Sequence, residues 1–141
     1  MGRDVSVPEP SPTLGYDARR AIGPRNLPGR VIVCGGRNFM DWDRGYAELD
    51  RIHAERPIQI VIHGNARGAD SMADCWARRR KIPCWPVPAE WSRYGKSAGP
   101  KRNAKMLGLK PQQVIAFPGG SGTRDMVKRA RAAGVEVIEI A

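Results

Sequence analysis

The sequence predicts an α/β protein: a Rossmann-like three-layer sandwich with helices on both faces of a mostly parallel sheet of about five strands. Three observations carry this prediction. From Arg30 onward, β-branched apolar runs alternate with stretches whose apolar residues recur at helical spacing. The strand-like runs are continuously apolar rather than alternating, the pattern of strands covered on both faces. Three of the runs end in glycine-rich turns that lead toward helices, as the carboxyl edge of a parallel sheet requires. The crossovers are expected to be right-handed.

The elements follow in order. Met1 to about Gly29 carries Pro8, Pro10, Pro12, Pro24 and Pro28 with little periodic apolar content. It reads as a flexible proline-rich tail (residues 1–29) outside the fold, leaving 30–141 as one folded domain. Arg30–Cys34 is the first strand. Asp41 to about Arg56, with Trp42, Tyr46, Leu49, Ile52 and His53 at helical spacing, is the first helix, and Pro57 stops it. Ile58–Ile62 is the second strand, and Arg67 to about Lys81 the second helix. Ile82–Val87 is a third strand, which Pro83 and Pro86 push toward a sheet edge. A long connection runs from Pro88 to Gly99, and Pro100 suits the first turn of a third helix ending near Leu109. Gln113–Phe117 is the fourth strand and Gly122–Ala133 the fourth helix. Gly134 caps it, and Val135–Ile140 closes the sheet.

Composition narrows the class. The chain has 141 residues, 41% hydrophobic and 27% charged, which fits one globular domain with a proper core. No apolar run approaches the roughly 20 residues of a membrane span, and no basic-then-apolar signal pattern opens the chain. Cys34, Cys75 and Cys84 are odd in number and form no CxxC pair, so they read as small buried residues in a reducing, cytoplasmic setting. The formal charge of +10 attracts nucleic acids, free nucleotides and other phosphorylated ligands without choosing among them. Part of it, Arg78-Arg79-Arg80-Lys81, is equally a solvated face near a negative helix end.

The candidate site residues gather around the turns. Pro118-Gly119-Gly120-Ser121-Gly122-Thr123 joins a strand to a helix, and the amides of such a turn form a phosphate cradle with Ser121 and the Thr123 hydroxyl. Arg124 and Asp125 stand just behind it. Gly35-Gly36-Arg37 brings a guanidinium beside exposed amides, or is a plain tight turn. It is not the GxGxxG fingerprint, which disfavours a standard NAD dehydrogenase. Gly64-Asn65-Ala66-Arg67-Gly68-Ala69-Asp70 supplies a second arginine and an acid at a helix start, where Asp70 either contacts a ribose hydroxyl or complements the helix dipole.

The connection Ala89–Asn103 mixes aromatics, cations and small residues. Trp91 and Tyr94 there either stack on a base or cover the sheet edge. Lys96 and Arg102, with Asn103 beside it, flank a helix start and suit a phosphate, Arg102 more so. His63 ends a strand beside a glycine turn and is the better histidine for ligand contact or acid–base work. His53, on an apolar helix face, reads as a packing residue. Ser121 lacks a G-x-S-x-G context, and no metal-ligand spacing is present.

With these residues in view, the chain resembles the SLOG superfamily of Rossmann-like nucleotide-binding proteins, and within it the YspA/YpsA-related branch. Four ordered motifs carry the likeness over about Arg30 to Ala141. They are GGRNF at Gly35–Phe39, HGNARGAD at His63–Asp70, AEW…YGKSAGPKRNAKM at Ala89–Met106 and FPGGSGT at Phe117–Thr123. The resemblance implies a pocket for a nucleotide-derived ligand of NAD, ADP-ribose or AMP type, and self-association as a homo-oligomer. The related LOG phosphoribohydrolases carry PGGxGTxxE, and the glutamate's position here is Met126. Asp125 precedes it by one residue, about 100° around a helix. The arginine of the LOG segment RKxxM does correspond, as Arg102. The related DprA segment GxAxGID is echoed by Gly64–Asp70, with Asp74 at the position of DprA's histidine.

The resemblance and the residues together lead us to expect a sensor or sequestering module for a phosphorylated adenosine derivative. A hydrolase using Asp125 or Glu90 in place of the missing glutamate, and a DprA-like binder of single-stranded DNA, are the alternatives. Arg102, Asp125, Glu90 and His63 are the residues available for catalysis.

Overall fold

The computed structural model describes residues 29–141, so residues 1–28 of the segment read as a tail lie outside the described residues, while Gly29 is buried and bonded to Gln59 and Gln112. Five strands form one parallel sheet: β1 (Arg30–Cys34), β2 (Ile60–His63), β3 (Cys84–Pro86), β4 (Gln113–Ala116) and β5 (Glu136–Glu139), in the order β3-β2-β1-β4-β5. The order reverses direction between β1 and β4, whose register pairs Ile32 with Val114 and Cys34 with Ala116. Such a reversal splays the following turns apart and leaves a crevice at the carboxyl edge. β3 is an edge strand, as its prolines require.

The helices are α1 (Trp42–Glu55), α2 (Ala69–Arg79), a short α3 (Trp91–Tyr94) continued by a 3₁₀ turn (Gly95–Ser97), α4 (Ala98–Gly108) and α5 (Ser121–Ala132). Each sheet face has its own apolar layer. On one, Val31, Val33, Val61 and Ile115 meet Leu49, Ile52, Met72 and Trp76 of α1 and α2. On the other, Ile32, Ile62, Trp85 and Val114 meet Met106, Met126, Val127 and Ala130 of α4 and α5. The central strands are buried on both sides, which explains their continuous apolar sequence.

Several boundaries differ from the sequence expectation for local reasons. The second helix begins at Ala69 because Gly68, at φ +74°, cannot continue one. The second strand begins at Ile60: the Ile58 amide is taken by His53 Nδ1 at 2.9 Å, and the Gln59 and Ile60 amides share the Gly29 carbonyl. The long connection carries α3 and a 3₁₀ turn, elements too short to leave a periodic signal. The third helix starts two residues early, with Pro100 still in its first turn, where no amide donor is needed. Gly134, at φ +75°, ends α5 as expected.

The Arg78–Lys81 run is more than a solvated face. Arg80 makes a paired contact to Asp50 of α1 at 2.6 and 2.8 Å, its guanidinium lies 5.1 Å from the Trp76 ring centroid, and Arg78 bonds Asp74. His53 also packs as expected, edge-on to Trp76 at 5.6 Å.

Candidate functional site

The crevice predicted by the strand order is present as an open cleft of about 770 Å³. The end of β1 and the turn after it (Cys34–Arg37), the approach to and start of α2 (Ala66, Asp70), Trp91, Lys96 of the 3₁₀ turn, the first turns of α4 (Gly99, Pro100, Arg102, Asn103) and the start of α5 (Gly120–Thr123, Asp125) line it.

The first glycine turn is the hub of this edge. The Gly36 amide donates to the Pro118 carbonyl at 2.8 Å, and its own carbonyl accepts the Ala69 amide at 3.1 Å. All three turns therefore meet in one layer. A Cβ on Gly68 would lie 2.2 Å from the Gly36 oxygen, and one on Gly119 would lie 2.6 Å from the Gly36 nitrogen. Those two glycines permit turn-to-turn packing rather than ligand approach. Gly120 and Gly122 differ, since nothing lies within 4 Å of where their side chains would be.

Helix α5 starts at Gly120 with no side-chain cap, and its first helical bond runs from the Arg124 amide to the Gly120 carbonyl. The amides of Ser121, Gly122 and Thr123 thus open onto the cleft with the positive end of the helix dipole. An anion fits such a position.

On the opposite wall stands Arg102. Its Nη1 donates to the Gly64 carbonyl at 2.9 Å and its Nε to Asn103 Oδ1 at 3.0 Å, which fixes the guanidinium at the floor. A Cβ on Gly64 would lie 2.2 Å from Arg102 Nη1, so a larger residue here displaces the guanidinium. Burial lowers the Arg102 pKa, Asp70 opposes the shift, and the neighbouring Arg37 adds to it. A cation destabilised in this way gains from an incoming anion. Asp70, buried beside it, accepts the Ala66 amide at 3.2 Å, and burial raises its pKa. Asn103, also buried, donates through Nδ2 to Asp125 Oδ2 at 2.9 Å and to the Gly122 carbonyl at 3.2 Å, tying α4 to α5. Cys34 closes the floor with a thiol that burial pushes up to about 12.

The structure therefore brings Gly35, Gly36, Arg37, Asp70, Lys96, Arg102, Asn103, Gly120, Ser121, Gly122, Thr123 and Asp125 to one cleft. Gly64, Gly68 and Gly119 shape it from behind, and Arg67 is exposed without lining it. Of the candidate catalytic residues, Arg102 and Asp125 face the cleft, while Glu90 and His63 do not. Glu90 lies in a separate hollow beside Lys105 and Arg93. His63 is buried; its Nδ1 accepts the Asn65 amide at 3.0 Å and its Nε2 meets Asp74 Oδ2 at 2.7 Å. The orienting partner that the sequence did not reveal is thus Asp74, eleven residues on.

Cys84 brings a third donor atom near this pair, all within 4.8 Å. The Asn65 amide on Nδ1 leaves the ring proton on Nε2, where a metal would need a lone pair, so the arrangement suits a latch for the 63–68 turn. Met126, at the position of the LOG glutamate, is fully buried in the apolar layer, and Asp125 is the residue that α5 turns toward the cleft.

Comparison with known proteins shows the family and the fold. Residues 29–94 match the model of the YspA, cpYpsA-related SLOG family. The Gene 61 protein of Mycobacterium phage D29 is 37% identical over 120 residues, covering 77% of this chain and 94% of that protein. The chain belongs to the YspA, cpYpsA-related SLOG family. Among solved structures, this SLOG chain is similar to DNA processing protein A (DprA) from Streptococcus pneumoniae. The TM-score is 0.63 at 21% identity over 81% of this chain, and the chain spans half the length of that protein. The likeness to DprA is one of fold. The family match takes in the first two glycine turns and Trp91, whereas Arg102, Asn103 and the 118–123 turn lie beyond it. Among the described residues, no helix is long and apolar enough to cross a membrane.

Proposed function

We propose that this SLOG protein binds a nucleotide or nucleotide-derived phosphorylated ligand of the NAD, ADP-ribose or AMP type, as a cytoplasmic sensor or sequestering module. One observation carries the reading: the uncapped start of α5, with open space at Gly120 and Gly122, faces the half-buried Arg102 across a cleft at the sheet's switch point. The amides of Ser121 to Thr123 would hold phosphate, Arg37, Lys96 and Arg102 would neutralise it, and Asp70 would reach a ribose hydroxyl. Arg67, exposed outside the cleft, has no part in this assignment.

Native mass spectrometry of the protein as purified from cells tests the reading. A retained mass matching a nucleotide derivative is the expected result. A ligand-free protein that also fails to bind AMP, ADP-ribose and NAD in titration contradicts it. Affinity that rises with strand length and falls steeply with salt would instead favour single-stranded DNA. The same spectra report the oligomeric state, for which we propose a homo-oligomer.

The position of Asp125 supports a second reading, an N-glycosidic hydrolase. Asp125 lines the cleft within one helical turn of the phosphate cradle, with Asn103 orienting its carboxylate. Release of free base from AMP or NAD, lost in Asp125→Asn, would establish it.

A further inference from the structure

Among the described residues, Trp91 is the one large aromatic residue on the cleft wall, and it is 47% exposed. Its ring is nevertheless held from two directions. The far edge sits over Gly99 at the start of α4, where a Cβ would lie 3.4 Å from the ring. The Arg37 guanidinium, from the turn after β1, lies 5.3 Å from its centroid. The two side chains thus meet face to face where both line the cleft.

We infer that Trp91 is a nucleobase platform, so that the cleft selects base-bearing nucleotides over sugar phosphates. This rests on the proposed phosphate site at the start of α5. The base takes the place of the guanidinium on the indole face, which frees the exposed Arg37 side chain to turn toward the phosphate. Tyr94 does not share the role. It lines the smaller hollow beside Glu90, with Lys101 and Arg93 over its ring at 4.9 and 5.0 Å. The remaining tryptophans are elsewhere: Trp76 and Trp85 are fully buried in the core, and Trp42 begins α1 away from the cleft.

Calorimetric titration of wild type, Trp91→Ala and Trp91→Phe with AMP and with ribose 5-phosphate tests the assignment. The expected result is a loss of AMP affinity of at least about fivefold in Trp91→Ala. Trp91→Phe should restore most of it, and ribose 5-phosphate affinity should change less than about twofold. An equal loss for both ligands, or none for AMP, overturns the platform. Wild type that binds ribose 5-phosphate as tightly as AMP also overturns it while leaving the phosphate site standing; wild type that binds neither removes both.

Discussion

Asn103 holds Asp125: its Nδ2 donates to the Asp125 carboxylate at 2.9 Å, and the same amide reaches the Gly122 carbonyl at 3.2 Å. One buried side chain on α4 therefore ties down the start of α5 and, together with Arg129 at 2.9 Å, the cleft's acid. Asn103→Leu removes both bonds and the acceptor of Arg102 Nε, leaving Asp125 to Arg129 alone, and should lower stability by about 1–2 kcal/mol in urea unfolding. Asn103→Asp faces one carboxylate with another. Its deficit should be larger at pH 7 and shrink as the pH falls toward 4.

The glycines should separate into two groups. Gly68→Ala forces a side chain into positive φ against the Gly36 carbonyl, and a loss of about 1–3 kcal/mol is expected by thermal unfolding. Gly122→Ala meets open space within a helix, so stability should be unchanged or higher by up to about 1 kcal/mol, with weakened nucleotide binding. Equal stability losses would contradict the division between packing and cradle glycines.

Much of this was legible in the sequence because the strands are buried on both faces. That condition writes itself as unbroken runs such as Val31-Ile32-Val33 and Val114-Ile115-Ala116. The turns were legible as glycine clusters, but their division of labour was not. Whether a glycine faces a neighbouring backbone, as Gly119 does, or open space, as Gly120 does, depends on contacts between distant segments. The Asp74 partner of His63 was hidden for the same reason, since a strand end meets a helix face only once the crossover is folded. Helical rotation counted along the chain set Asp125 apart from the LOG acid position. Yet the docking of α5 on the sheet buries Met126 and turns Asp125 to the cleft.

Asp74 should contribute to acid sensitivity. The bond from His63, helped by Arg78, lowers its pKa from 3.8 to about 2. A depressed folded-state pKa stabilises the fold above the unfolded value, and that stability is lost as the pH falls from about 4 toward 2. Asp74→Asn should lower stability at pH 7 by on the order of 1–2 kcal/mol and flatten this part of the acid limb in chemical denaturation. A curve parallel to wild type from pH 5 to 2 would contradict the His63–Asp74 latch.

Cys34 should be chemically silent. Burial, reinforced by Asp70, pushes its thiol up to about 12, so at pH 8 it stays in the unreactive thiol form. Iodoacetamide at pH 8 should leave Cys34 unmodified in the folded protein and label it in urea, as read by peptide mass spectrometry. Rapid labelling of the native chain would mean that the cleft floor opens.

The central claim is that Arg102 and the start of α5 hold one phosphate between them. Isothermal titration of AMP or ADP-ribose into wild type, Arg102→Lys and Arg102→Ala measures this most directly. Loss of a charge-assisted contact of about 1.5–3 kcal/mol predicts at least about tenfold weaker binding in Arg102→Ala, with partial recovery in Arg102→Lys. Wild-type affinity in a folded Arg102→Ala protein would contradict the account.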